Sequence, residues 1–347
     1  MPVKSRADIL DEINELSRYE KTAIFNALKD NLYPSSQAIG QVVEELRETK
    51  FSSGLVCPHC NDNLVVKNGK FNGRQRYLCR SCKHTFNDFT NTPMQRTQMP
   101  EKWLQYLELM FKGFSLRAAA VEIGGVTHVT LFYWRHKILN ALKHLDVDSF
   151  EGITEMDETY FLYSEKGHKS ITWREPRHRG GKAKKRGISK EQVGVLVVCD
   201  RHKQSSLRVA GSGRINAETL NAMVTDKISN SATLCSDADT AIKSFATEHN
   251  LKHIELNASK GQRVKQGVYH IQNVNACHKQ LKDWMRKFNG VATKYLDNYL
   301  SWYRFVTATK FEAMAAKRNQ MLIAASQFNV VSTCRSLRLS RWDHATS

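Results

Sequence analysis

The chain has 347 residues, 41% of them hydrophobic, which is enough for two or three domains with a buried core and excludes a disordered tail. Lys and Arg number 52 against 34 acids, a formal net charge of +18 that favours a polyanionic partner, nucleic acid above all. No uninterrupted apolar run reaches the roughly 18 residues of a membrane span, and the opening MPVKSRADILDEINELSRYEK is too charged for a signal peptide, so a cytoplasmic, DNA-associated protein without membrane contact is expected.

Residues 1–50 hold charged amphipathic segments and no site residue, and are expected to form a helical extension. Residues 51–93 follow with CPHC (57–60) and CRSC (79–82), 18 residues apart, around a stretch that alternates like two short strands joined by a Gly-containing turn. Four thiolates at this spacing, Cys57, Cys60, Cys79 and Cys82, predict a closed tetrahedral structural Zn²⁺ site. The ribbon is too small to fold on apolar burial alone, so its folding is tied to the metal. The other cysteines, among them Cys199, Cys235 and Cys334, read as reduced thiols. Lys67, Lys70, Arg74, Arg76, Arg80 and Lys83 decorate the ribbon and suit phosphate contacts.

Residues 97–147 read as an apolar-periodic helix, a Gly, a Ser-led helix, a Gly-Gly break and a Thr-led helix rich in aromatic and basic residues. That is a helix-turn-helix-like pattern, whose last helix would offer His128, Thr130, Tyr133, Arg135 and Lys137 to a DNA groove. A purely structural helical linker gives the same spacing.

From about residue 150 the period changes. GITEMDETYFLYS, QVGVLVVCDR, SSLRVAG, ATLCSD and KHIELN read as strands, with NAETLNAMVTDKI and DTAIKSFATEHN as helices between the later ones, an α/β domain spanning 150–312. Asp157 lies inside the first strand among apolar residues, where a carboxylate is costly unless paired or metal-bound. Asp237 ends the fourth strand, just before a helix that Asp239 can cap. Either aspartate alone is as readily a solvent-facing edge residue, but if the first and fourth strands are neighbours the two converge on a hard cation such as Mg²⁺. Glu158 points to the opposite face, and Asp200 reads as a turn residue.

The loop REPRHRGGKAKKRGISK (174–190) carries eight Arg and Lys against one Glu, and beside a phosphodiester site it reads as a DNA clamp through Arg179, Lys184, Lys185 and Arg186. The helix of VNACHKQLKDWM (274–285) is two-faced. Val274, Cys277, Leu281, Trp284, Met285 and Phe288 form its core side, while Asn275, His278, Lys279 and Lys282 form its polar side. Residues 313–347 are expected to be a tail.

The paired C-x2-C motifs, FTNTPM, GFSLRAAA, WRHKIL, MDETYF, CSDADTAIKSFA and HIQNVNACHKQLKDWMRKFNGVATKYLDNYLSWYRF together resemble the insertion-sequence transposases with an N-terminal zinc ribbon and an ISXO-like catalytic domain. The resemblance covers 51 to about 310. It implies a ribonuclease-H-like core that binds two Mg²⁺ ions, or Mn²⁺ in their place, and performs strand transfer on double-stranded DNA, with element ends and target as substrates and at least a homodimer on DNA. By position, Asp157 and Asp237 match the first two acidic ligands, and Asn275 with Lys282 seven residues on matches the asparagine-bearing form of the third. His278 is the other candidate third ligand. The rival expectation is a zinc-ribbon DNA-binding protein or transcription factor without catalysis.

Overall fold

The computed structural model describes residues 5–342 apart from 19, 22, 23, 25–27, 29–34, 53, 72, 73, 169, 170, 172, 173, 176–179, 258 and 259. Arg179 therefore lies outside the described residues. The chain divides into two compact units, 1–135 with 312–331 and 136–311 with 332–347.

In the first unit, α1 (Arg6–Glu15) opens on a capping box between Ser5 and Asp8. After α2 (Ser35–Lys50) comes a three-stranded antiparallel sheet of β1 (Val65–Phe71), β2 (Arg74–Cys79) and β3 (Thr85–Asn87). Tyr77 and Phe86 stack at 5.3 Å and share a small core with Cys57 and Cys79. Arg47 of α2 grips the buried Asp88 through two hydrogen bonds of 3.2 and 2.9 Å.

The helical module consists of α3 (Glu101–Phe111), α4 (Leu116–Ile123) and α5 (His128–Leu142), with the boundary between units falling inside α5. Ser115 caps α4, and Thr127 accepts the backbone N–H of Thr130 at the start of α5. Gly124 and Gly125 between them have φ of +65° and +62°, a conformation that L side chains rarely adopt, which is why this break requires glycines. Trp103 stacks on Trp134 at 4.6 Å.

The second unit is built on a five-stranded sheet, β4 (Ile153–Leu162), β5 (Gln192–Asp200), β6 (Ser205–Ser212), β7 (Thr233–Ser236) and β8 (Lys252–Glu255), in the order β6-β5-β4-β7-β8. The first three strands pair antiparallel, while β7 runs parallel to β4, and β8 to β7. β5 is buried along almost its whole length, as its unbroken apolar run requires. On one face, α6 (Ala217–Val224) and α7 (Thr240–Glu248) bury Leu220, Val224, Ile242 and Phe245 against Met156, Leu196, Val198 and Leu234 of the sheet. Each such side chain contributes about 1.5–3 kcal/mol of burial. Against the sheet also pack α8 (Gln272–Arg286), on β4 and β5, and α9 (Leu296–Ala308), on β6.

Residues 314–327, grouped with the tail by sequence, form α10, which packs against α2 and α3 in the first unit, and α11 (Cys334–Leu339) follows. The ion pair of Arg318 with Glu108, at 2.8 Å, fixes α10 on α3.

Asp146 ties the second unit together: Lys227, Arg208 and Arg304 all pair with its nearly buried carboxylate, and Ser206 donates a further hydrogen bond. Burial opposes its charge, but the Lys227 hydrogen bond and the charges of Arg304 and Arg208 bring its carboxyl down to about 2. The stabilisation is present above the ordinary carboxylate range near pH 4 and is lost as pH falls toward 2. Asp146→Ala leaves these cations without their partner and is expected to cost roughly 3 kcal/mol at pH 7, read as a lower urea midpoint. An unchanged midpoint would show that the network contributes nothing net.

Candidate active site and metal centres

In the first unit, the sulfurs of Cys57, Cys60, Cys79 and Cys82 all lie within 4.8 Å of one another. Cys57 to Cys82 and Cys60 to Cys79 are both 3.6 Å. A tetrahedron with Zn–S bonds of about 2.3 Å has edges of about 3.8 Å, so the thiols fit the ion. Backbone N–H groups stabilise thiolate here: the amide of Cys82, ahead of that of Ser81, brings Cys79 down to about 6 although burial works against it.

In the second unit, the β4–β7 register pairs Ile153 with Thr233, Thr154 with Leu234 and Glu155 with Cys235. Continued two residues beyond its last pair, which is one residue past the end of β7, the same register would set Asp157 level with Asp237. Asp157 is half-buried and Asp237 exposed, and the Asp237 Oδ1 accepts the Asp239 backbone N–H at 3.0 Å. Asp239 in turn caps α7 by accepting from Ala241 and Ile242, as its position in the sequence predicts.

Burial, reinforced by the negative charges of Asp237 and Asp239, pushes the Asp157 carboxyl up to about 6, with Lys282 partly offsetting them. Asp237, although exposed overall, is raised as well, by partial desolvation of its carboxyl first and then by the charges of Asp239 and Glu255. Two acids crowded in this way are relieved by a divalent cation with hard oxygen ligands, so the donor set fits such an ion.

The helix α8 runs from Gln272 to Arg286 with the two faces expected of it. Val274, Leu281 and Met285 are buried, and the Trp284 ring meets Phe288, Tyr299, Trp302 and Tyr303. On the polar side His278 comes to Asp157, with Nδ1 3.7 Å from Oδ2. Burial, aided by the charge of Lys282, pulls the His278 imidazole down to about 4, so it is neutral at pH 7. Its Nε2 is buried without a hydrogen-bond partner. Asn275, one turn earlier, is exposed, so the side chain seen against Asp157 is the histidine.

Other predicted residues have structural duties. Glu158 faces away from Asp157, as strand alternation requires, and its Oε2 accepts the Tyr160 hydroxyl at 2.7 Å. Burial pushes Glu158 up to about 7. Asp200 closes the β5–β6 turn by accepting from the N–H groups of His202 and Gln204. Arg135 is a correction: it is buried at 6% exposure and donates to the Tyr106 hydroxyl at 3.0 Å, so it faces the core rather than a DNA groove. Arg74 is half-buried with its guanidinium 4.7 Å from the Phe89 ring centroid, while Arg76 and Lys137 are half-exposed. Lys184, Lys185 and Arg186 are exposed, the first two pinned by backbone N–H bonds to the Glu191 carboxylate.

Glu155 went unread in the sequence. It is fully buried and is held by Arg201 at 2.5 Å, the Asn273 amide at 2.8 Å and the Val274 N–H at 2.9 Å. The signal that marked Asp157, a carboxylate within an apolar strand, applied equally to Glu155 two residues earlier.

Residues 149–306 match the model of the ISXO2-like transposase domain. A protein described as "Uncharacterized protein in transposable element ISH50", from Halobacterium salinarum, is 26% identical over 265 residues, covering 74% of this chain and 86% of the relative. Among solved structures, a pre-cleavage Mos1 transpososome is 9% identical, covering 67% of this chain and 80% of that one, with a TM-score of 0.21. A Mos1 strand transfer complex is 11% identical, covering 62% and 77%, with a TM-score of 0.20. Among the described residues no helix is long and apolar enough to cross a membrane.

Asp157 holds its proton more tightly when folded than when unfolded, so its contribution becomes a penalty as pH rises from about 4 to about 6 and stays one above. In buffer without Mg²⁺ or Mn²⁺, Asp157→Asn is therefore expected to stabilise the fold at pH 8 by on the order of 1–3 kcal/mol and at pH 4 hardly at all. Thermal melts check this, and Mg²⁺ is expected to raise the melting temperature of the unaltered chain only. Separately, stripping zinc with a strong chelator is expected to unfold the ribbon, seen as lost near-UV circular dichroism from the buried Tyr77. Cys79→Ser is expected to lower the bound zinc measured by atomic absorption.

Proposed function

Residues 149–306 match the ISXO2-like transposase domain, and on that premise we propose that the chain acts as an insertion-sequence transposase, binding the terminal inverted repeats of its element and catalysing phosphodiester hydrolysis and strand transfer. The observation that carries this reading is the parallel β4–β7 register, with Asp157 and Asp237 each two residues beyond its last pair and His278 of α8 against Asp157. The strand order, three antiparallel strands followed by two parallel ones, is what a ribonuclease-H-like core presents. The four-cysteine ribbon is read as a zinc ribbon and α4–α5 as a helix-turn-helix-like pair.

Asp157 and Asp237 are the carboxylates that would hold Mg²⁺ or Mn²⁺, with Asn275 or His278 as the third ligand. Two such ions, when bound, supply activation of the attacking oxygen and neutralisation of the leaving one. Around them, Lys282 would offer a positive charge to the phosphate next to the cut, its charge being near enough to Asp157 to favour the ionised carboxylate. The half-buried His278 would cover one side of the Asp157 carboxylate.

DNA is read and gripped elsewhere. The ribbon through Arg76, the last helix of the module through Lys137, and the basic loop through Lys184, Lys185 and Arg186 supply phosphate contacts, and the excess of positive charge makes binding salt-dependent. Pairing two element ends calls for at least a dimer on DNA, and the work is done on DNA in the cytoplasm. The domain reading proposed is a helical extension, ribbon, helical module and catalytic domain in that order.

The test is cleavage of a duplex carrying the inverted repeat found beside the gene, with Mg²⁺ or Mn²⁺. The unaltered chain is expected to cut at the repeat end, and Asp157→Ala or Asp237→Ala to fall to the level of a no-protein control while still binding the duplex. Binding without cleavage by the unaltered chain under either metal would instead favour a non-catalytic zinc-ribbon DNA-binding protein. Asn275→Ala and His278→Ala, compared side by side, identify the third ligand as the one whose loss raises the metal concentration needed for half-maximal rate.

A further inference from the structure

The buried Glu155 does not touch the proposed reacting centre, yet it lies on the same face of β4 as Asp157, two residues away. Its carboxylate is fully buried and takes four contacts. The Arg201 guanidinium approaches Oε1 at 2.5 Å, His270 Nδ1 lies 3.3 Å from the same oxygen, Asn273 Nδ2 donates to it at 2.8 Å, and the Val274 backbone N–H donates to Oε2 at 2.9 Å. The last two donors belong to the first turn of α8, whose free N–H groups and positive dipole end attract a carboxylate. Ile271, at the capping position itself, offers no side-chain cap. The cap of α8 therefore comes from a strand that is distant in sequence.

The far end of the helix is held in the complementary way. Lys166, shortly beyond β4, donates its ammonium to the carbonyls of Phe288, Asn289 and Gly290 at 2.9, 3.0 and 2.8 Å, just past the last turn of α8. An anion at the start and a cation at the end, both supplied by β4 and its extension, match the helix dipole.

The spacing gives this cap its consequence. From Glu155 to Asp157 the strand rises about 7 Å, at about 3.3 Å per residue. From Val274 to His278, one helical turn, the helix rises about 6 Å. The residue held by Glu155 and the residue facing Asp157 are thus one repeat apart on both elements, so an axial slip of α8 carries His278 and Lys282 off the aspartate. A buried charge is a poor source of stability against an apolar substitute, but a strong means of fixing one register.

We propose that Glu155 is a positioning residue: by capping α8 from β4, with the Arg201 guanidinium neutralising it and His270 beside it, it sets the register that presents the polar face of the helix to Asp157. The role in catalysis rests on the transposase reading, whereas the setting of the helix does not.

The test compares the full chain with Glu155→Ala and Glu155→Gln by amide hydrogen exchange and by cleavage at saturating end DNA. Glu155→Ala is expected to speed exchange across residues 272–279 while β5 stays protected, and to lower the cleavage rate constant by roughly 100-fold, the cost of a misplacement near 1 Å. The Kd for end DNA should stay within about twofold, because the loss lies in the step after binding. Glu155→Gln keeps a carbonyl for the Val274 N–H and should retain cleavage within about tenfold of the unaltered chain, a rescue that general destabilisation would not give. If Glu155→Ala does not fold by thermal melt, Glu155→Gln against Glu155→Asp decides, the shortened acid being expected to be the slower of the two. Unchanged exchange over 272–279, or full cleavage alongside raised exchange, overturns the proposal. If the unaltered chain itself does not cut, the transposase reading fails, and the exchange pattern alone decides whether Glu155 sets the helix.

Discussion

The second unit depends on the position of one strand. β4 lies in the middle of the sheet, antiparallel to β5 and parallel to β7. Parallel pairing fixes which part of β4 lies beside the carboxyl end of β7, and it is this that brings Asp157, in the middle of β4, near Asp237, 80 positions later in the chain. A slip of one residue would turn Asp157 to the opposite face, among the apolar side chains of Met156 and its neighbours. The apolar packing of α6 and α7 against that face therefore does more than stabilise the unit. It holds the carboxylates on the other side in register.

Charge is distributed over β4 in a corresponding way. Glu155 is neutralised by Arg201 and by the start of α8, Asp157 is left crowded by other acids, and Glu158 is turned to the opposite face toward Tyr160. Three carboxylates within four residues thus have three different roles, decided by what each one faces. Asp157 and Glu158 both have a raised proton affinity with acids of like charge nearby, and what sets Asp157 apart is the imidazole of His278 on its side of the strand. Asp146, also buried, is the contrast: with several cations around it, it stays charged and serves the fold.

Much of this was legible beforehand. The cysteine spacing announced its cluster, because a tetrahedral thiolate site dictates local geometry over short loops. The five strands and the helices between them followed from hydrophobic periods of about two and 3.6 residues. The two faces of α8 were readable for the same reason, and so was the cap at Asp239. What misled was charge. Arg135 reads as a groove-facing cation in a basic, aromatic helix, yet helical phase turns it inward to Tyr106, where its guanidinium finds a hydroxyl. The stretch at 314–327 looked like a tail because its partners, α2 and α3, lie more than 200 residues earlier in the chain.

The sequence by itself determined the inventory: a four-thiolate cluster, a helical module broken at a Gly-Gly pair, an α/β unit with acids in its strands, and a two-faced helix near its end. These are properties of neighbours in the chain, set by local geometry and by alternation of apolar and polar residues. Tertiary structure alone decided which acid meets which helix. That Asp157 comes near Asp237, that His278 rather than Asn275 lies against it, and that Glu155 caps α8 all depend on strand order and helix register. Those follow from packing between segments far apart in sequence, which no local pattern encodes.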